Sequence, residues 1–170
     1  MEEDKERLMK LIYFVQLLAD EQNSISELEY LFSNREMWFI PVVNPDGYAY
    51  NESIEPTGGG MHRKNRLNTN CGNGSNRGVD LNRNYGFGWG SNDIGSSPNP
   101  CSATYRGDTE FSEPETQAVR DFIINHEFNN VLHYHCYSND YIHPWGNGSF
   151  PEEPDSSTLV DIGREMARYN

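Results

Sequence analysis

An α/β fold is the class this sequence predicts, because segments with a helical apolar period alternate with short apolar runs that lack alternation, and no internal repeat appears. At 170 residues and 35% hydrophobic content the chain is long enough for one packed core, so a single domain is expected. Taken in order, Leu8, Leu11, Ile12, Val15 and Leu18 recur at helical spacing and predict an amphipathic helix over the first twenty residues, its apolar face covering a sheet. Residues 37–43, Met-Trp-Phe-Ile-Pro-Val-Val, predict a strand buried on both faces, with Pro41 favouring an edge or bulged position. Asn44-Pro45-Asp46-Gly47 then stops that strand in a turn. Between residues 50 and 102 glycine, asparagine and serine dominate, a stretch far longer than an ordinary connection of about 4–6 residues and of the kind used for binding. Ser112-Glu113-Pro114-Glu115 is a capping-box pattern with Ser112 at the N-cap, and Val119, Phe122 and Ile123 continue a helix to about His126. Residues 130–138 predict a second buried strand and residues 141–144 a short one. A last helix over residues 157–169 aligns Leu159, Ile162, Met166 and Tyr169.

Charge excludes one class of partner. Lys and Arg number 13 against 26 Asp and Glu, a formal charge of −13, whereas nucleic-acid binding draws on clustered basic residues. No apolar run approaches the roughly 18 residues of a membrane span, and the Met1-Glu-Glu-Asp start has no signal-peptide pattern. Cys71, Cys101 and Cys136 show no zinc-finger spacing. Cys71 and Cys101 lie in loop-like stretches that could approach each other, while Cys136 falls in a strand-like run, so one disulfide and one free thiol are expected. Asn51, Asn73 and Asn147 each begin an N-x-S triplet in a loop-like segment and would suit a secretory route.

Two groups of residues could carry chemistry. His133 and His135 lie two apart on a predicted strand and share a face, where either could bind a metal or satisfy a core hydrogen bond. Arg63-Lys64-Asn65-Arg66 and Asp80-Leu81-Asn82-Arg83-Asn84 place four positive charges and several amides in the long polar stretch of an acidic protein. Guanidinium forks match carboxylates bidentately, so an anion site is one reading and a solvated loop with surface ion pairs is the other.

The ordered set of Trp-Phe-Ile-Pro-Val-Val-Asn-Pro-Asp-Gly-Tyr (38–48), Arg63-Lys64-Asn65-Arg66, Gly78-Val79-Asp80-Leu81-Asn82-Arg83-Asn84, Thr104-Tyr105-Arg106-Gly107 with Phe111-Ser112-Glu113-Pro114-Glu115, and His135-Cys136-Tyr137-Ser138 resembles the zinc carboxypeptidases of the carboxypeptidase A type. Five motifs in register cover most of residues 38–146. The resemblance implies an α/β three-layer sandwich, a mixed and mainly parallel sheet between helices. It also implies Zn2+ as cofactor, with His135 as one of three protein ligands. Arg66 would polarise the scissile carbonyl and hold the developing oxyanion. Asn82 and Arg83 would grip the C-terminal carboxylate of a peptide, and Arg63 and Tyr137 would line the groove for the preceding residues. Cys71 with Cys101 would be the family's disulfide, and a non-proline cis bond would fall between Cys136 and Tyr137. Partners would be peptide or protein C-termini, with the extracellular space or a digestive vesicle as location.

Departures qualify these implications. No His-x-x-Glu pair precedes the first predicted helix, His62 stands where the family usually has Trp, and the family's general-base glutamate has no counterpart here. Residues 1–170 therefore read as the central portion of such a catalytic domain, truncated at both ends and inactive by itself. The alternatives are a zinc-free pseudoenzyme that still binds peptide C-terminal carboxylates, and a remnant that binds nothing.

Overall fold

The computed structural model describes residues 2–21, 24–57, 60–74, 76–135, 140–146 and 148–168, with side chains from Leu8 onward. The chain divides into two compact units, Met1–Cys136 and Tyr137–Asn170. Helices α1 (Glu2–Glu21), α2 (Ser26–Asn34), α3 (Pro45–Ile54) and α4 (Pro114–Ile124) belong to the first unit, together with one 3-10 turn at Leu81–Arg83; α5 (Asp155–Ala167) belongs to the second.

The expected α/β sandwich is not formed: among the described residues there is no strand, and the one β-bridge, Ser97 with Tyr105, is isolated. Residues 37–43, 130–135 and 141–144 carry no regular structure, and most of their apolar side chains are exposed, Trp38 at 49%, Leu132 at 54% and Ile142 at 82%, while Met37 and Val42 are half-buried. A strand exists only where a neighbour accepts and donates its ladder of hydrogen bonds. These runs have the composition of strands buried on both faces but no ladder beside them among the described residues, and the sheet is lost with it.

Helix predictions fared better, with shifted ends. Helix α1 spans the predicted segment and buries Leu18, but Ile12 and Val15 remain exposed, and its apolar side meets Phe39 and Pro41 across an open groove rather than a sheet. Phe14 packs edge-on to Phe39. The Asn-Pro-Asp-Gly sequence begins a helix instead of a turn. Asn44 caps α3 by accepting the Gly47 N–H at 3.0 Å, and Pro45 takes the first helical position, where its missing donor costs nothing. The polar stretch thus begins after Ile54. Helix α4 starts at Pro114 with Glu113 at the N-cap, so Ser112 does not cap it; the Ser112 hydroxyl donates to Glu113 and accepts from Asn84.

What lies buried in the first unit is largely polar. Asn51, His62, Lys64, Asn65, Asp80, Asn84, Arg106, Glu113 and Thr116 are buried beside Leu18, Val79, Leu81, Tyr105 and Val119. An aromatic cluster sits apart from them: Trp38, His126 and Phe128 surround Phe122 of α4 with ring centroids 4.3–5.4 Å away. In the second unit Gly163 lets α5 approach Tyr141, since a Cβ there would run into the ring at Cδ1 and Cε1.

Candidate functional site

The basic segment 62–66 is fixed from both sides by side-chain amides. Asn51 on α3 donates to the His62 carbonyl at 2.8 Å and accepts the His62 N–H at 3.0 Å. Asn44 donates to the Lys64 carbonyl at 3.0 Å, and Gly47 must be glycine because a Cβ would come within 2.7 Å of that carbonyl. Across from them the Asn65 N–H donates to the Val79 carbonyl and the Val79 N–H donates to Asn65 Oδ1, both at 2.8 Å. His62, Lys64 and Asn65 are thereby buried, while Arg63 is exposed and Arg66 half-buried.

Asp80 gathers the cations. Its Oδ1 accepts the Asn82 N–H at 3.2 Å and opens the 3-10 turn, while Oδ2 lies 2.9 Å from Arg63 Nη2 and 3.9 Å from Arg83 Nε. The carboxylate is 2% exposed, whereas Arg63 and Arg83 are 47% and 32% exposed. Burial pushes the Asp80 carboxyl above its ordinary range, and Arg63 and then Arg83 pull it part of the way back. Arg63, ion-paired to this buried anion, and Arg83 beside it already lie together, so an incoming carboxylate would not have to gather them. Asn82, exposed and next to Arg83, completes the group, and its carbonyl accepts from Arg83 Nη1 at 3.2 Å.

Lys64, one of the four clustered positive charges, is not available to an anion. It is fully buried, and its ammonium donates to the carbonyls of Asn76, Pro100 and Ser102 at 2.8–3.0 Å. Burial depresses its pKa, with Asp80 opposing. These carbonyls flank the Cys71–Cys101 disulfide, whose Cα atoms are 5.2 Å apart, so lysine and disulfide hold the same two loops. Asn84 is likewise structural. Its amide nitrogen lies within 3.0 Å of the Arg106 and Thr109 carbonyls and Ser112 Oγ, and its oxygen accepts from the Glu113 N–H and the Thr116 hydroxyl.

Arg66 lies elsewhere on the same segment. Its guanidinium stacks 3.7 Å above the Tyr50 ring and donates to the carbonyls of Asn73 and Gly74. No contact joins it to the Arg63–Asp80–Arg83 group among the described residues. His133 and His135 are exposed on the irregular stretch 130–135. Tyr137, Cys136 and the peptide bond between them lie outside the described residues. Among the described residues no three His, Cys, Asp or Glu side chains come together as a metal site. The described residues therefore do not make up a three-ligand zinc centre, and no chemical step is assigned through a metal. Sequence reading missed two residues of this region as functional elements. Asp80 carried a signal, an acidic N-cap ahead of Asn-Arg; Tyr50 carried none, because the helix that presents it was read as a turn and loop.

Comparison with known proteins gives the setting. The sequence profile described as "Zinc carboxypeptidase" matches residues 9–170. Carboxypeptidase B from Astacus astacus is 38% identical over 76% of this chain and 42% of its own length. A protein of Sclerotinia sclerotiorum named inactive metallocarboxypeptidase ecm14 is 32% identical over 76% of this chain and 21% of its own. Among solved structures, carboxypeptidase A from Helicoverpa armigera superposes with a TM-score of 0.69 and 34% identity over 89% of this chain and 36% of that one. The chain thus spans less than half the length of each of these relatives.

Proposed function

Because the chain belongs to the zinc carboxypeptidase family, we propose that Arg63, Asn82 and Arg83, organised by Asp80, are the substrate-binding group of a domain that removes C-terminal residues from peptides. The observation that carries this reading is the pair of part-exposed guanidinium groups gathered at one buried carboxylate, Arg63 ion-paired to it at 2.9 Å and Arg83 beside it with Nε 3.9 Å away, beyond hydrogen-bond reach. Asn82 and Arg83 take the terminal carboxylate, Arg63 faces the preceding part of the peptide with Tyr137, and Arg66 serves the scissile carbonyl. Zn2+ is the family's cofactor, and His135 is this chain's contribution to it. The chain by itself binds peptide termini and does not cleave them. An oxidising location, extracellular or in a digestive vesicle, suits the Cys71–Cys101 disulfide. No helix among the described residues is long and apolar enough to cross a membrane.

The test is a calorimetric titration with one peptide in two forms, free acid and C-terminal amide. The free acid should bind at least about tenfold more tightly, the scale of one or two charge-assisted hydrogen bonds. Arg83→Ala should remove that preference and Arg66→Ala should leave it. Equal affinity for both forms, or a preference untouched by Arg83→Ala, overturns the assignment. A second reading, a zinc-free binding module, draws support from the likeness to the relative named as inactive. Release of the terminal residue after addition of Zn2+ would overturn both that reading and the statement that the chain alone does not cleave.

A further inference from the structure

The three N-x-S triplets, at Asn51, Asn73 and Asn147, are not equivalent in the fold. An N-glycan needs its asparagine amide at the surface, with space for a sugar. Asn51 is 8% exposed inside α3, and both ends of its amide are engaged, the nitrogen with the His62 carbonyl and the oxygen with the His62 N–H. A Cβ placed on the neighbouring Gly60 would run into the Asn51 side chain, so nothing the size of a sugar fits there. The Ser53 hydroxyl of the same triplet donates to the Tyr50 carbonyl.

Ser75 of the triplet at Asn73 lies outside the described residues, but Asn73 itself differs in exposure, in the bonding of its amide and in the space around it. It is exposed, and no hydrogen bond of its side chain is found among the described residues; only its carbonyl is used, by Arg66. Its flanking residues, Gly72 and Gly74, both face open space, with no heavy atom within 4 Å of a Cβ built on either. Cys71, two residues earlier, is joined to Cys101, which fixes one end of the loop and fits a compartment where disulfides and glycans are both made. The Arg66 guanidinium holds the loop from the other side through the Asn73 and Gly74 carbonyls, so the acceptor stands on an ordered platform. Asn147 lies outside the described residues.

We propose that Asn73 is a site of N-linked glycosylation and that Asn51, despite its matching triplet, is not. The donor class is an oligosaccharide carried on a lipid pyrophosphate. A bond forms between Asn73 Nδ2 and the anomeric carbon of the sugar, and the bond from that carbon to the pyrophosphate oxygen breaks. The lipid pyrophosphate leaves with the electron pair, and the amide nitrogen gives up one proton; no oxidant or reductant is involved.

The experiment expresses the full chain behind an added secretion signal in insect cells and maps the secreted protein by mass spectrometry after glycosidase release in H2 18O, which converts a glycosylated Asn to labelled Asp. Label at Asn73 and none at Asn51 is expected. Asn73→Gln and Ser75→Ala should each remove one glycan while the protein is still secreted, the second variant keeping the asparagine itself. Secreted protein with Asn73 unlabelled overturns the proposal, as does label at Asn51. Neither outcome bears on peptide binding, which the free-acid titration tests by itself.

Discussion

Asn84 is fully buried, with three acceptors around its two amide N–H groups and two donors on its oxygen, whereas Trp38, Ile40, Val131 and Leu132, all apolar, are 45–54% exposed. These residues represent two regions of the first unit that are held by different means. Around residues 62–66, 78–84 and 105–116, order comes from directional bonds, within the region from Asn65 to Val79 and Glu113 and from Asp80 to Tyr105, and to the adjoining loops from Lys64 to the carbonyls of Asn76, Pro100 and Ser102. A buried polar group must find its partners, and here most are supplied by the chain, though Asp80 Oδ2 and Arg83 Nε are buried without a hydrogen bond. Along residues 37–43 and 130–135 the side chains would gain by burial, but burial requires another surface, and a strand requires another strand. Motif-bearing loops can thus be well defined where apolar runs of the same unit stay open.

The largest test of this contrast is Asn84→Ala. It leaves several buried groups unpaired, at about 1–3 kcal/mol each, so a loss of about 3 kcal/mol or more is expected as a lower urea midpoint. A loss under about 1 kcal/mol would mean that the polar region is not what holds the unit. Next comes the disulfide, which closes a sequence separation of 30 residues. Replacing both Cys71 and Cys101 by Ser should lower stability by about 3–4 kcal/mol at most, less in so far as Lys64 holds the same loops. Combining that change with Lys64→Met should cost more than the sum of the two alone if they share the work; strict additivity would separate them.

A smaller effect lies at alkaline pH. Tyr105 is buried and donates to Asp108 at 2.5 Å, and burial first, then that bond, pushes its phenol up to about 12. Folding therefore favours the protonated phenol. That contribution is complete below the ordinary value of about 10 and is lost as pH rises through about 12. Tyr105→Phe should flatten the fall in stability across this window, measured by urea unfolding at several pH values; an unchanged slope would refute it. The smallest change is expected in the other region, where Ile40→Ala and Val131→Ala should each stay within about 0.5 kcal/mol of the parent. Larger losses there would show that these side chains are buried in solution.

Part of the site region was legible beforehand. Basic and amide residues inside an acidic chain marked segments 63–66 and 80–84, and the family resemblance singled out Arg63, Asn82 and Arg83 within them; their grouping at Asp80 is compatible with an anion site and equally with a loop held by its own ion pairs. Lys64 counted as one of four positive charges in the polar stretch, but composition does not distinguish a lysine in water from one whose three donors meet carbonyls, which is its state here. Asp80 was visible as a letter but not as the anchor of two arginines. Tyr50 was hidden by the misreading of Asn44-Pro45-Asp46-Gly47, a sequence that suits the start of a helix as well as a tight turn.

By itself the sequence determined the family and the positions of α1, α4 and α5 to within a few residues, because motif order and helical periodicity are properties of the chain alone. It also determined which runs are apolar enough to be strands. Only the tertiary structure decided that those runs do not form a sheet among the described residues, that Lys64 and Asn84 are internal staples, and that Arg63 and Arg83 meet on Asp80 while Arg66 rests on Tyr50. Each of those outcomes depends on which segments distant in sequence become neighbours, and a pairing is a property of two segments that neither one encodes alone.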